Sequence, residues 1–421
     1  MGESDLTAAE IVSLADVEAA RERIANVVHR TPLDTSRTFA DMSGARSVGL
    51  KLEAMQRTGS FKIRGAYNRL SQLSADERAN GVVASSAGNH AQGVALAGQL
   101  LDIDTTIVVP EITPAAKIDA TRGYGADVIV EGEQYEASYE RALDIADEER
   151  REFVHPFDDA AIIAGQGTIG CELLEQLPDL DTVIVSIGGG GLISGIATAL
   201  KAHDSDVRVI GVQPEGAAHA KPSLEKGEIR RLSTVDTVAE GIADARLLEK
   251  TFAVVRERVD DVVAVSDDEL SAAVALTAER AKVVAEAAGV APVAALLSDG
   301  LDVENETVAA VVSGGNVGLR EHAELVRSGL LKRGRYATVR LELRNWPTGV
   351  AAVVDAIEEC GAELDELARV RRDRGDRPNR TPIELVVAGS GRNHLETVVE
   401  SLDDLDGIGV AECSPDPRST G

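Results

Sequence analysis

Residues 182–200 read TVIVSIGGGGLISGIATAL. The run is uncharged and long enough to suggest a membrane span. Four consecutive glycines, Gly188 to Gly191, interrupt it. It therefore divides into a buried strand at Thr182–Ser186, a glycine loop and a helix. The same rhythm extends outward, from about residue 47 to residue 320. Short β-branched runs at Val82–Ala84, Thr106–Val109, Val128–Val130, Val207–Val212 and Val308–Val312 predict strands. Helical patterns at Ile63–Leu73, Ala91–Leu100 and Ala137–Ala146 lie between them. Such alternation predicts an α/β fold with a mostly parallel sheet.

The C-terminal part changes character. Val339, Leu341 and Leu343 alternate with Arg340, Glu342 and Arg344, the mark of a half-buried strand. A helix at Thr348–Cys360, a strand at Glu363–Val370 and a polar turn, RRDRGDRPNR at 371–380, follow. Pro382–Ala388, Asn393–Leu402 and Ile408–Glu412 complete a βαββαβ order, that of a ferredoxin-like unit. The stretch LVRSGLLKRGR, residues 325–335, is the expected junction. Residues 1–330 then form one domain and 334–413 a second.

The charge count narrows the function classes. With 71 acidic and 43 basic residues the net charge is −28, which excludes a basic nucleic-acid footprint. A hydrophobic fraction of 44% excludes a disordered chain. Nine lysines stand against 34 arginines. An acidic, lysine-poor surface stays solvated in high salt, where its self-repulsion is screened, so a halophile's protein is expected; an ordinary acidic protein is the alternative. The opening MGESDLTAAE lacks a charged-then-apolar signal pattern, and no membrane partner is expected. Cys171, Cys360 and Cys413 are far apart, so neither a disulfide framework nor a zinc site is indicated, and a reducing cytoplasm is expected.

Four segments carry chemistry. In RTGSFKIRGA, residues 57–66, Gly59 and Ser60 predict a turn, with Lys62 in the first turn of the following helix. The positive end of the helix dipole disfavours a protonated lysine there, as Schiff-base chemistry requires. In SSAGNHAQGVA, residues 85–95, Ser86, Gly88 and Asn89 offer amides and short polar groups at a helix N-terminus, suited to a carboxylate or to simple capping. In SIGGGGLISG, residues 186–195, side-chain-free backbone can approach a phosphate. The spacing is no clean GxGxxG, no GxxxxGK[ST] is present, and the ligand type stays open on spacing alone. In VVSGGNVG, residues 311–318, Ser313 falls at the carboxyl end of a strand, where open α/β sheets place ligands.

Together these motifs resemble the pyridoxal-phosphate enzymes of the tryptophan-synthase β type (fold type II), and specifically the threonine/serine dehydratases, over about residues 15–330. Lys62-Ile63-Arg64 is the dehydratase form; cysteine and threonine synthases carry K-D-R. The resemblance implies a two-lobed catalytic domain, its smaller lobe at about 47–155. It implies that Lys62 holds pyridoxal 5'-phosphate as a Schiff base and later removes the α-proton. Gly188, Gly189, Gly190, Gly191 and Leu192 would bind the phosphate, Asn89 the ring hydroxyl, and Ser313 would face the ring nitrogen. Ser86, Ala87, Gly88, Asn89 and His90 would surround the substrate carboxylate, and the Glu240–Ala243 loop would line the ring.

The implied activity is that of a lyase, threonine ammonia-lyase: L-threonine to 2-oxobutanoate and ammonia, with serine as a side substrate and a place in isoleucine biosynthesis. A serine racemase and a non-catalytic amino-acid sensor are the alternatives. Racemases of this family have a serine where this chain has Ala87, which favours elimination. Some relatives bind a divalent metal through a glutamate near position 213, which here is Gln213, so no metal is expected. The C-terminal unit resembles an ACT-type regulatory domain. Those domains show D-x-P-G-x-L where this chain reads Asn345-Trp346-Pro347-Thr348-Gly349-Val350, so Thr348 stands in the way of backbone approach. An amino-acid effector and a dimeric or tetrameric homo-oligomer are the expected partners.

Overall fold

The computed structural model describes residues 6–371 and 378–414. The chain divides into two compact units after residue 322. The first holds two sheets. The larger has six strands in the order β1 (Leu33–Thr35), β2 (Ser47–Leu52), β10 (Thr307–Val312), β7 (Thr182–Ser186), β8 (Arg208–Pro214) and β9 (Asp261–Val265). All its pairs are parallel except β1 with β2. The smaller sheet is wholly parallel, in the order β5 (Asp127–Val130), β4 (Thr105–Val109), β3 (Val82–Ser85), β6 (Glu152–Phe153).

The central strands β3, β7 and β10 are buried along their whole length. Helices cover both faces of such sheets, so continuous apolar runs rather than alternation mark them. That is why these strands are readable in the sequence. In register, Val308 lies opposite Thr182, and Thr182 opposite Arg208. The ends of β7 and β10, Ser186 and Ser313, thus meet at one carboxyl edge. The strand β2 is harder to read, because Lys51 sits inside its apolar run; there it is fully buried and paired with Glu172.

The expected junction is largely helical: residues 325–332 belong to a helix, Leu319–Lys332. Leu325 and Gly329 share a buried stripe one helical turn apart, and the turn is confined to the residues around Gly334, whose φ is 63°. The second unit is a four-stranded antiparallel sheet in the order β12 (Glu363–Arg369), β13 (Thr381–Ala388), β11 (Tyr336–Leu343), β14 (Ile408–Ser414). With helices Thr348–Glu359 and Arg392–Asp403 it completes the βαββαβ order. Val339, Leu341 and Leu343 face its core with Ile357, Leu385 and Val398. Residues 372–377 of the polar turn lie outside the described residues. Among the described residues no helix is long and apolar enough to cross a membrane.

Candidate active site

The lysine turn and the SGGN turn are stitched together by backbone. Phe61 N donates to Ser313 O at 3.2 Å, and Gly315 N to Gly59 O at 2.9 Å. Gly59 has a φ of +71°, and a Cβ there would stand 2.4 Å from Asn316 Oδ1. Only glycine suits that position. Lys62 is the first residue of helix Lys62–Ser71, and its Nζ donates to the Pro156 carbonyl at 3.0 Å. Removal from water pushes its pKa down to about 8, against the upward pull of Asp244 and Glu286. Desolvation is thus the largest cause of the lowering.

Asn89 opens helix Asn89–Leu101 with its amide held at both ends. Its Nδ2 donates to Glu286 Oε1 at 2.7 Å, and its Oδ1 accepts from Asn316 Nδ2 at 2.6 Å. The glycine loop ends at Gly190, whose φ of +90° starts helix Gly191–His203. A Cβ on Gly189 would lie 2.2 Å from the Phe157 ring, and one on Gly188 2.6 Å from Asp244 Oδ2. The cradle therefore tolerates no side chain, and the first-turn amides of the helix remain for an anion.

Lys62, Asn89, Gly188–Leu192 and Ser313 all line one cleft, with Phe61, Phe157, Gly241 and Ile242. Ser86, Ala87 and Gly88 form the half-buried turn before Asn89 and do not line the cleft wall. Ser86 Oγ accepts from Gly88 N at 3.2 Å, and Ala87 packs on the core around Ile63. The His90 ring turns inward, with Nε2 2.9 Å from the Val154 carbonyl. Burial pushes its pKa down to about 3, so the ring is neutral and only its first-turn amide faces the same end of the helix as Asn89.

Two cleft carboxylates were not anticipated. Asp244 directly follows the Glu240–Ala243 loop, where an acid one residue on was the available signal. Burial raises its pKa, while Lys62 and the Gly189 N–H pull it down. Glu286 lies in the alanine-rich AEAAGVAP, which gives no signal. Burial pushes its pKa up to about 6, against the Asn89 hydrogen bond. A folded value above the unfolded one means that stability from this group is full below the unfolded value and lost as pH rises through about 6. Glu286→Gln should therefore raise the thermal midpoint above pH 7 and leave it unchanged near pH 4. Equal effects at both pH values in a melting series would overturn this account.

Gln213 is engaged by its neighbours. Its Oε1 accepts from Ala220 N at 2.7 Å, and its Nε2 lies 2.9 Å from His219 Nε2. Among the described residues no group of three or more His, Cys, Asp or Glu side chains could hold a metal ion.

Residues 24–314 match the family described as pyridoxal-phosphate dependent enzyme, and the chain belongs to that family. An L-threonine ammonia-lyase of Thermotoga maritima is 42% identical over 93% of this chain and 97% of its own length. The processed form of threonine deaminase isoform 2 from Solanum lycopersicum superposes with a TM-score of 0.72 at 39% identity, covering 75% of this chain and 92% of its own. Maize serine racemase gives a TM-score of 0.72 at 37% identity, over 76% of this chain and 98% of its own. The cradle closed to any Cβ and the lysine of lowered pKa fit pyridoxal phosphate.

Proposed function

We propose that this protein is a pyridoxal-phosphate-dependent threonine ammonia-lyase that converts L-threonine to 2-oxobutanoate and ammonia, with L-serine as a second substrate. The carrying observation is the meeting of the desolvated Lys62 amine, the glycine cradle and Ser313 in one cleft. Bound there, pyridoxal phosphate supplies an electron sink that acidifies the α-carbon of an amino acid. Lys62 holds the cofactor through Nζ and, when free, accepts the α-proton at the same atom. A pKa near 8 leaves that amine substantially neutral at mildly alkaline pH. The amides of Gly188–Leu192 bind the phosphate. Asn89, its amide oriented by Glu286 and Asn316, binds the ring hydroxyl. Ser313, which lines the cleft, would offer a neutral hydroxyl to the ring nitrogen and so would leave it unprotonated, which favours loss of the β-hydroxyl. Asn89, which lines the cleft, and the backbone of the Ser86–His90 turn beside it at the helix N-terminus would receive the substrate carboxylate.

Steady-state formation of 2-oxo acids from threonine and serine, with D-serine followed in parallel, tests the reading. No 2-oxobutanoate from threonine would overturn it. D-serine appearing as fast as pyruvate would favour the racemase, against the absence of a hydroxyl at Ala87.

The second unit reads as an ACT-like module in a cytoplasmic enzyme of isoleucine biosynthesis, active as a dimer or tetramer. Its βαββαβ order supports the ACT-like part of this reading. A chain ending at residue 330 should keep cofactor and threonine turnover. Isoleucine or valine should change the full-length rate and not the truncated one, because coupling needs a second site. Identical responses of the two, with no heat on titrating branched-chain amino acids into the full chain, would leave the module an assembly element. The net charge of −28 supports a halophilic origin. Molar salt should raise the thermal midpoint by screening carboxylate repulsion, and a midpoint that stays constant between low and molar salt would argue against it.

A further inference from the structure

The turn His155–Asp158 touches both chemical halves of the cleft. Its Pro156 carbonyl accepts from Lys62 Nζ at 3.0 Å. Its Phe157 ring covers Gly189, and its Phe157 backbone lies against Gly191. The His155 ring stands behind this turn. Nδ1 lies 3.2 Å from Phe157 N and 2.8 Å from Asp158 N. Backbone amides only donate, so Nδ1 carries no proton and accepts from both. Burial supports this by pushing the ring's pKa down to about 4, against the pull of Asp159. The ring also packs edge-on against Phe157, with centroids 4.7 Å apart, and near Phe153 and Tyr139.

One peptide plane links these contacts. The Pro156 carbonyl and the Phe157 N–H belong to the same planar unit and point in opposite directions. Anchoring the N–H on His155 therefore aims the carbonyl at Lys62. The proline ring also fixes φ of residue 156, one bond before the ψ that borders the plane, which narrows the conformations of the turn. We propose that His155 is a positioning residue whose Nδ1, by holding two backbone N–H groups, aims the Pro156 carbonyl at the Lys62 amine and seats Phe157 on the phosphate cradle. The inference rests on the pyridoxal-phosphate reading above.

Two substitutions separate the acceptor from the ring. His155→Phe keeps ring and bulk and removes the acceptor; His155→Asn removes the ring and keeps an acceptor oxygen near the position of Nδ1. The readout is the dissociation constant of pyridoxal phosphate, from absorbance titration of cofactor-stripped protein, together with the pH titration of the bound cofactor's visible band. His155→Phe should weaken binding about tenfold or more, since two buried amides lose their partner, and shift the band's pH midpoint. His155→Asn should return both to within about threefold of the wild type. Should His155→Phe fail to fold, His155→Ala takes its place in the comparison. Asparagine as weak as phenylalanine, or phenylalanine as tight as histidine, overturns the proposal. A wild-type chain that binds no pyridoxal phosphate overturns the cofactor reading first, and the proposal with it.

Discussion

Lys62→Ala should lose the visible absorption of bound cofactor and turn threonine over at least about a thousandfold more slowly than the wild type. Two functions leave with one amine: the covalent hold on the cofactor and the acceptor of the α-proton. Their losses compound, because among the described residues no other lysine lines the cleft. Lys250 engages the Asp158 carbonyl at 3.2 Å, and Lys117 pairs with Glu240 at 2.7 Å. Lys62→Arg sharpens the test. It restores the positive charge beside Asp244 and Glu286 but stays protonated at every working pH, so it cannot accept the proton. Retention of near-normal turnover by either variant would sink the assignment. Folding should survive both changes, since Lys62 faces the cleft and its one protein hydrogen bond is to a carbonyl.

The sequence carries much of this site, for a physical reason. Lysine, asparagine, glycines and serine each sit just past a strand or at a helix start. Those junctions are legible because buried parallel strands write continuous apolar runs and glycines punctuate them. The fold of the second unit is legible through alternation: Val339, Leu341 and Leu343 are all buried beside half-exposed Arg340 and Glu342. What the sequence hides is whatever depends on distant partners. Glu286 is an acid in an alanine-rich helix start, and nothing local says that Asn89, 197 residues away, donates to it. Pro156 acts through its backbone carbonyl and His155 through an Nδ1 held by two backbone N–H groups, and neither contact leaves a signature in the sequence. Residues 325–335 read as a junction, whereas 325–332 are helical, because only a narrow stripe of that helix is buried.

The largest stability effect is expected two residues beyond the lysine. Arg64 has no exposed surface, yet it is fully charged, for its pKa is held above the ordinary value by Glu53 and Glu172 against the cost of burial. Its Nε and Nη2 grip Glu53 at 2.8 Å each, and its Nη1 meets Glu172 at 2.7 Å. Lys51 completes the group by pairing with Glu172, so two buried cations offset two carboxylates. Arg64→Met leaves two carboxylates against one lysine in the core. Breaking a buried network from one side costs about 3–5 kcal/mol, because an uncompensated charge remains. The urea midpoint should fall accordingly, and Arg64→Met combined with Glu172→Gln should recover part of the loss by restoring the balance of charge. Acid supplies an independent reading. Burial pushes the Glu172 carboxyl up, but Arg64 and Lys51 outweigh it and hold the pKa below the ordinary value. Stability from this group is thus present above the unfolded value and lost as pH falls through the folded one, so the wild type should lose more on acidification than Arg64→Met does. A stability loss below about 1 kcal/mol, or a double variant no better than the single one, would show that the guanidinium fills space there and that its charge does not hold the lysine helix in place.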